Sequence, residues 1–140
     1  MLDKERVLAK IDELESYKKE IEEIYPKDYG EYKSSKEKKR SIERLLHISI
    51  ECIIDICSII TAGMRLGLPT KEEDLFEKLK DAKVISDNLA KELKELRAFR
   101  NILVHRYGYV DDELVYTTLK QRINIFTEFK KEILKFIEKK

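Results

Sequence analysis

Arg100, Asn101, His105 and Tyr107 are side chains able to do chemistry, and they fall within one short segment, Arg100-Asn101-Ile102-Leu103-Val104-His105-Arg106-Tyr107. An imidazole exchanges protons near neutral pH, and a guanidinium fork holds an anion and stabilises negative charge as it grows. Leu89, Leu93, Leu96, Leu103 and Val104 recur around the segment at helical spacing, as on a core-facing helix. At about 100° per residue, Arg100 falls near the middle of that leucine face and His105 lies about 140° further round. A guanidinium aimed at a core must be paired, so Arg100 calls for a carboxylate, a phosphate or a second subunit. Residues five apart do not meet on a straight helix. Arg100 and His105 converge only if the helix ends near His105, where Gly108 relaxes the backbone, or if two subunits each supply one of them. Asn101, four before His105, is placed to hydrogen-bond the imidazole and set its tautomer.

The elements that must hold this segment are helical. In 140 residues, 41% are charged and only 4 are Gly and 2 Pro, which favours long solvated helices in one all-α domain. Twenty-nine basic against twenty-eight acidic side chains leave a net charge of +1, so a nucleic acid would have to be met locally. Neither a membrane span nor a secretory leader is expected, which predicts a cytoplasmic protein. Cys52 and Cys57 have neither redox nor zinc spacing and read as buried free thiols; no metal site or cofactor motif is expected.

Along the chain, Val7, Ile11, Leu14, Ile21 and Ile24 predict a first amphipathic helix from about Asp3 to Tyr25. Pro26, Gly30, Ser34 and Ser35 then predict a loop of about ten residues. A second helix, starting near Ser35 or Lys36 and running towards Gly63 or Gly67, is apolar nearly all round from Leu45 to Ile60. It reads as the central rod, with some of its cover supplied by a second copy of the chain. Its basic start, including Lys33, Lys36, Lys38, Lys39, Arg40 and Arg44, reads as a solvated helix end or as a phosphate-binding patch. His47, Glu51 and Asp55 follow at four-residue steps and offer Arg100 a partner. Thr70-Lys71-Glu72-Glu73 has the form of a capping box for a short third helix. Ser86 is positioned to cap a fourth, which carries the leucine stripe, and Asp111 or Asp112 to open a fifth. The prediction is an antiparallel bundle of about five helices.

Arginine, a polar residue, three further residues and histidine near the end of a late helix resemble the RxxxxH motif of the HEPN family. With Tyr107, the run Val110-Asp111-Asp112, Glu43-Arg44-Leu45-Leu46 and Ile53-Ile54-Asp55-Ile56, the chain is similar to the HepT-type toxins over most of its length. The resemblance implies a symmetric helical dimer that cleaves RNA without a metal. It also implies a toxin-antitoxin pairing with an MntA-type nucleotidyltransferase, which silences the toxin by adding AMP to Tyr107. Arg100 and His105 would then be catalytic and Asn101 supporting, with Lys39, Arg40, Arg44, Arg97 and Arg106 as candidate contacts to RNA phosphates. Two other readings stand beside this one. Arg100 could close a buried ion pair with Asp55 or Glu51 while His105 favours a helix C-terminus, and the chain could be a non-catalytic helical partner of a nucleotidyltransferase.

Overall fold

A computed structural model describes residues 1–105 and 110–140. The described residues form seven helices and no strand: α1 (Lys4–Glu23), α2 (Tyr29–Ser34), α3 (Lys36–Gly63), α4 (Glu73–Asp81), α5 (Asp87–His105), α6 (Asp112–Arg122) and α7 (Asn124–Glu138). Four helix starts are capped at or beside the residues where the sequence places them. Asp3 accepts from the Arg6 amide at 3.1 Å, Ser35 from Lys38 at 3.1 Å and Ser86 from Leu89 at 3.1 Å, while Asp111 takes the Glu113 and Leu114 amides. Each of these satisfies a helix-end N–H that has no partner of its own, typically worth ~1 kcal/mol.

The rod expected from the sequence is α3, with α1, α4, α5, α2 and α6 all packed against it. By length and composition alone α3 could cross a membrane, contrary to the sequence reading, but it is the core helix of the bundle. Ile42, Leu46, Ile50, Ile53, Ile56 and Ile60 are each at most 2% exposed. One chain therefore covers these six, while Leu45, Ile48 and Ile59 of the same run stay half-buried.

Two differences raise the helix count from five to seven. The expected loop after Pro26 contains α2, capped by Asp28 through the Glu31 amide at 2.8 Å. Its Tyr32 is fully buried, and Tyr29 and Tyr32 lie 5.4 and 5.8 Å from the ring of Tyr116 on α6. A six-residue helix is too short for its period to register, and this aromatic cluster holds it. The last predicted helix is interrupted once, at Ile123, where the Phe126 amide turns to the Ile123 carbonyl at 3.2 Å. Val115, Leu119, Phe126, Phe129 and Ile133 remain one buried stripe across that break.

The α3–α4 connection positions an acidic residue of the site. Arg65, at φ 55°, occupies the left-handed position that closes α3, and the Leu66 amide reaches back to the Thr61 carbonyl at 3.0 Å. Gly67, at φ 102°, turns the chain again. The expected capping box is replaced by a different bond set. Asp74 accepts from the Thr70 amide at 2.9 Å, the Lys71 amide at 3.2 Å and the Thr70 hydroxyl. The Glu72 carboxylate, which makes no cap bond of its own, turns towards α5.

Candidate active site

Arg100 lies on the buried face of α5 with 7% of its surface exposed, as the leucine stripe requires. Its three nitrogens are held by three different residues. Nη1 donates to Glu51 Oε1 at 2.6 Å, Nη2 to Glu72 Oε1, and Nε to Asn101 Oδ1 at 3.0 Å. Arg97, three residues earlier, donates from Nε to the same Glu72 oxygen at 3.0 Å. Burial pulls the Arg100 pKa down, but hydrogen bonds to Glu51 and Glu72 outweigh it and hold the group above the ordinary arginine value. Burial likewise pushes Glu72 up, and the bonds from Arg100 and Arg97 hold its carboxyl below the usual range. Both carboxylates stay partly exposed, at 41% for Glu51 and 39% for Glu72, so the buried member of the cluster is the cation.

Of the two carboxylates expected for Arg100, Glu51 is the one that pairs; Asp55 takes Lys10 of α1 at 3.3 Å. Glu72 is a partner that the sequence does not disclose, because nothing local links the connection before α4 to α5. The only signal for it is an acidic residue without a neighbouring base at helical spacing, which sequence alone does not connect to α5. Asn101 holds Arg100 through its amide oxygen, where the sequence reading aimed it at His105. Adjacent residues on a helix do not normally face each other; here the long arginine side chain folds back to reach the amide.

His47 extends the cluster along α3. Arg44 Nη1 lies 3.3 Å from His47 Nδ1, and His47 Nε2 faces Glu51 Oε1 at 3.5 Å. With Arg44 as the donor, this arrangement assigns the ring proton to Nε2. Arg40, Glu43, Arg44, His47 and Leu103 line a cleft of about 210 Å³ beside the α5 motif. Arg44 and Arg40 thus stand near the motif, Arg40 also pairing with Glu43 at 2.9 Å, and Lys39 is tied to Asp112 at 3.2 Å.

His105 is the last residue of α5 and is exposed. The guanidinium and the imidazole therefore point to different sides of one helix, one into the bundle and one outwards. Val104 beside it is exposed at 39%, and Ile102 and Leu103 are half-buried. Arg106 and Tyr107, together with Gly108 and Tyr109, lie outside the described residues.

An all-α bundle built on a long central helix, with an Arg-Asn-x-x-x-His segment closing a late helix, defines a HEPN-type protein. The chain belongs to the ribonuclease HepT-like family, whose model matches residues 14–133. It is 27% identical over 123 residues to the mRNA nuclease HepT of Shewanella oneidensis, which covers 88% of this chain and 92% of that one. Its fold superposes at a TM-score of 0.85 on the tri-AMPylated HEPN toxin of that organism, solved in complex with its MNT antitoxin. That likeness is at 27% identity over 96% of this chain and 99% of the other. At the same TM-score and 25% identity it resembles the cytosolic Bacillus subtilis protein YutE, over 99% and 92% of the two chains.

Proposed function

We propose that this chain is the toxin of a toxin-antitoxin pair, a cytoplasmic endoribonuclease that cleaves RNA without a metal. The observation that carries the reading is that the last turns of α5 hold a buried, pre-oriented arginine and, five residues on and facing outwards, an exposed histidine. His105 takes the proton of a ribose 2′-hydroxyl, and the 2′-oxygen then attacks the adjacent phosphorus. The bond to the 5′-oxygen breaks, and that oxygen leaves with a proton from a protonated imidazole, giving a 2′,3′-cyclic phosphate and a 5′-hydroxyl. Arg100 donates to the phosphate oxygens as their charge rises. Because the two side chains diverge on one helix, the working site combines copies from two chains in a symmetric dimer, with Val104 and the half-buried Ile102 at the seam.

Control falls to an MntA-type nucleotidyltransferase that adds AMP to Tyr107. A phosphate joined two residues past His105 would compete for Arg100 and block RNA. The names of the relatives, a HepT nuclease and an AMPylated toxin bound to its antitoxin, support both parts of this reading.

The ion pairing of Arg100 also favours a second reading, a non-catalytic partner of a nucleotidyltransferase in which the arginine only holds α3, α4 and α5 together. Incubating the purified chain with RNA and EDTA separates the two. The nuclease reading expects cut RNA with cyclic-phosphate ends, and RNA that stays intact supports the second. Light scattering is expected to give twice the monomer mass of 16.7 kDa.

A further inference from the structure

Glu72 sits where an anion would. Its Oε1 accepts from Arg97 Nε at 3.0 Å and from Arg100 Nη2, two donors three residues apart on one face of α5. We propose that Glu72 fills an anion site formed by Arg97 and Arg100, and that a phosphate of the RNA substrate displaces it. The inference rests on the reading of the chain as an RNA-binding nuclease and adds to it the place where a phosphate binds.

Three features of the geometry make the exchange feasible. The arginines share a single carboxylate oxygen, whereas a phosphate offers each guanidinium an oxygen of its own, a better match to two forks. Arg100 keeps Glu51 at 2.6 Å and Asn101 at 3.0 Å when Glu72 leaves, so the guanidinium stays oriented and paired. Glu72 itself can move. It stands one residue before α4, at the end of the exposed run 67–71, and the cap of that turn is made by Asp74. At 39% exposure its carboxylate regains water when released, and Arg97, at 24%, is reached from solvent. Glu72 would then act as a built-in competitor that keeps the two arginines neutralised until RNA arrives.

The test measures binding of a short RNA carrying 2′-O-methyl groups, which cannot be cleaved, to the full-length wild type, Glu72→Gln and Glu73→Gln. Glu73 pairs with Lys71 and lies off the fork, so its variant controls for loss of one negative charge nearby. Glu72→Gln is expected to bind about tenfold more tightly, the scale of one charge-assisted hydrogen bond, and Glu73→Gln less than about twofold. Equal tightening by the two variants, or weaker binding by Glu72→Gln, overturns the proposal. A measurement on unmodified protein stands beside it, in case Glu72→Gln fails to fold. In wild type labelled with nitrogen-15, inorganic phosphate should shift the Nε–H resonances of both Arg97 and Arg100, and an unmoved Arg97 resonance at saturating phosphate overturns the exchange. Both readouts are of binding, so an absence of RNA cleavage by the wild type would count against the nuclease reading and leave this test intact.

Discussion

Removing both carboxylates from the Arg100 cluster should cost more than removing the arginine. In Arg100→Ala, Glu72 keeps Arg97 and Glu51 still faces His47, and both carboxylates, 39% and 41% exposed, hydrate in place. The loss is then the packing of the buried stem and three hydrogen bonds whose acceptors find water, about 2 kcal/mol. Glu51→Ala or Glu72→Ala alone leaves the guanidinium one carboxylate and Asn101, and the partial exposure of the lost partner limits each cost to about 1 kcal/mol. The double variant strands a cation that is 7% exposed with only an amide oxygen, and an uncompensated buried charge costs about 3–5 kcal/mol. Urea unfolding followed by circular dichroism, at one protein concentration throughout, measures all four. The double variant should exceed the sum of its singles by about 1 kcal/mol or more. Additive singles, or a double variant milder than Arg100→Ala, would refute the view that Arg100 is a buried cation requiring compensation.

Other outcomes follow from other parts of the molecule. The Tyr32 hydroxyl is buried without a hydrogen-bond partner among the described residues, so Tyr32→Phe should leave the unfolding midpoint unchanged or raised, whereas Tyr32→Ala should lower it by about 3 kcal/mol or more. Burial pushes the Cys52 thiol up to about 12 and raises Cys57 as well. Unfolded thiols ionise near about 8.5, so this stabilisation is complete below that pH and is lost as pH rises further. Denaturation midpoints should therefore fall between about pH 9 and 10, by up to ~1.4 kcal/mol per thiol, and Cys57→Ala should show a shallower fall. With a cognate nucleotidyltransferase and ATP, peptide mass spectrometry should find AMP on Tyr107, and Tyr107→Phe should keep cleaving RNA while escaping silencing; AMP confined to other residues would remove Tyr107 from control.

The features legible in the sequence are those that local chemistry decides. Asp3, Ser35, Ser86 and Asp111 announce helix starts because a short side-chain oxygen beside an apolar period has few other uses. The period itself gives α1, α3, α5 and the stripe shared by α6 and α7. It also puts Arg100 on a buried face and Glu51 within reach of it. Long-range pairing hides the remainder. Tyr32 is buried because Tyr116, distant in sequence, meets it, and no period inside Tyr29–Ser34 could say so. Glu72 carries no local mark of its role, and only the turn made at Arg65 and Gly67 brings it to Arg97 and Arg100. The spacing of Asn101 to His105 gives no sign that its amide oxygen accepts from an arginine long enough to fold back.

The central claim is that His105, at the exposed end of α5, moves the proton in RNA cleavage. The direct measurement compares wild type and His105→Ala on end-labelled RNA in EDTA, at equal helicity and equal mass by light scattering. The account predicts that the variant loses at least about a hundredfold in rate, the scale of a positioned general acid or base, and that the wild-type products carry 2′,3′-cyclic phosphate. Cleavage by His105→Ala at the wild-type rate would contradict it.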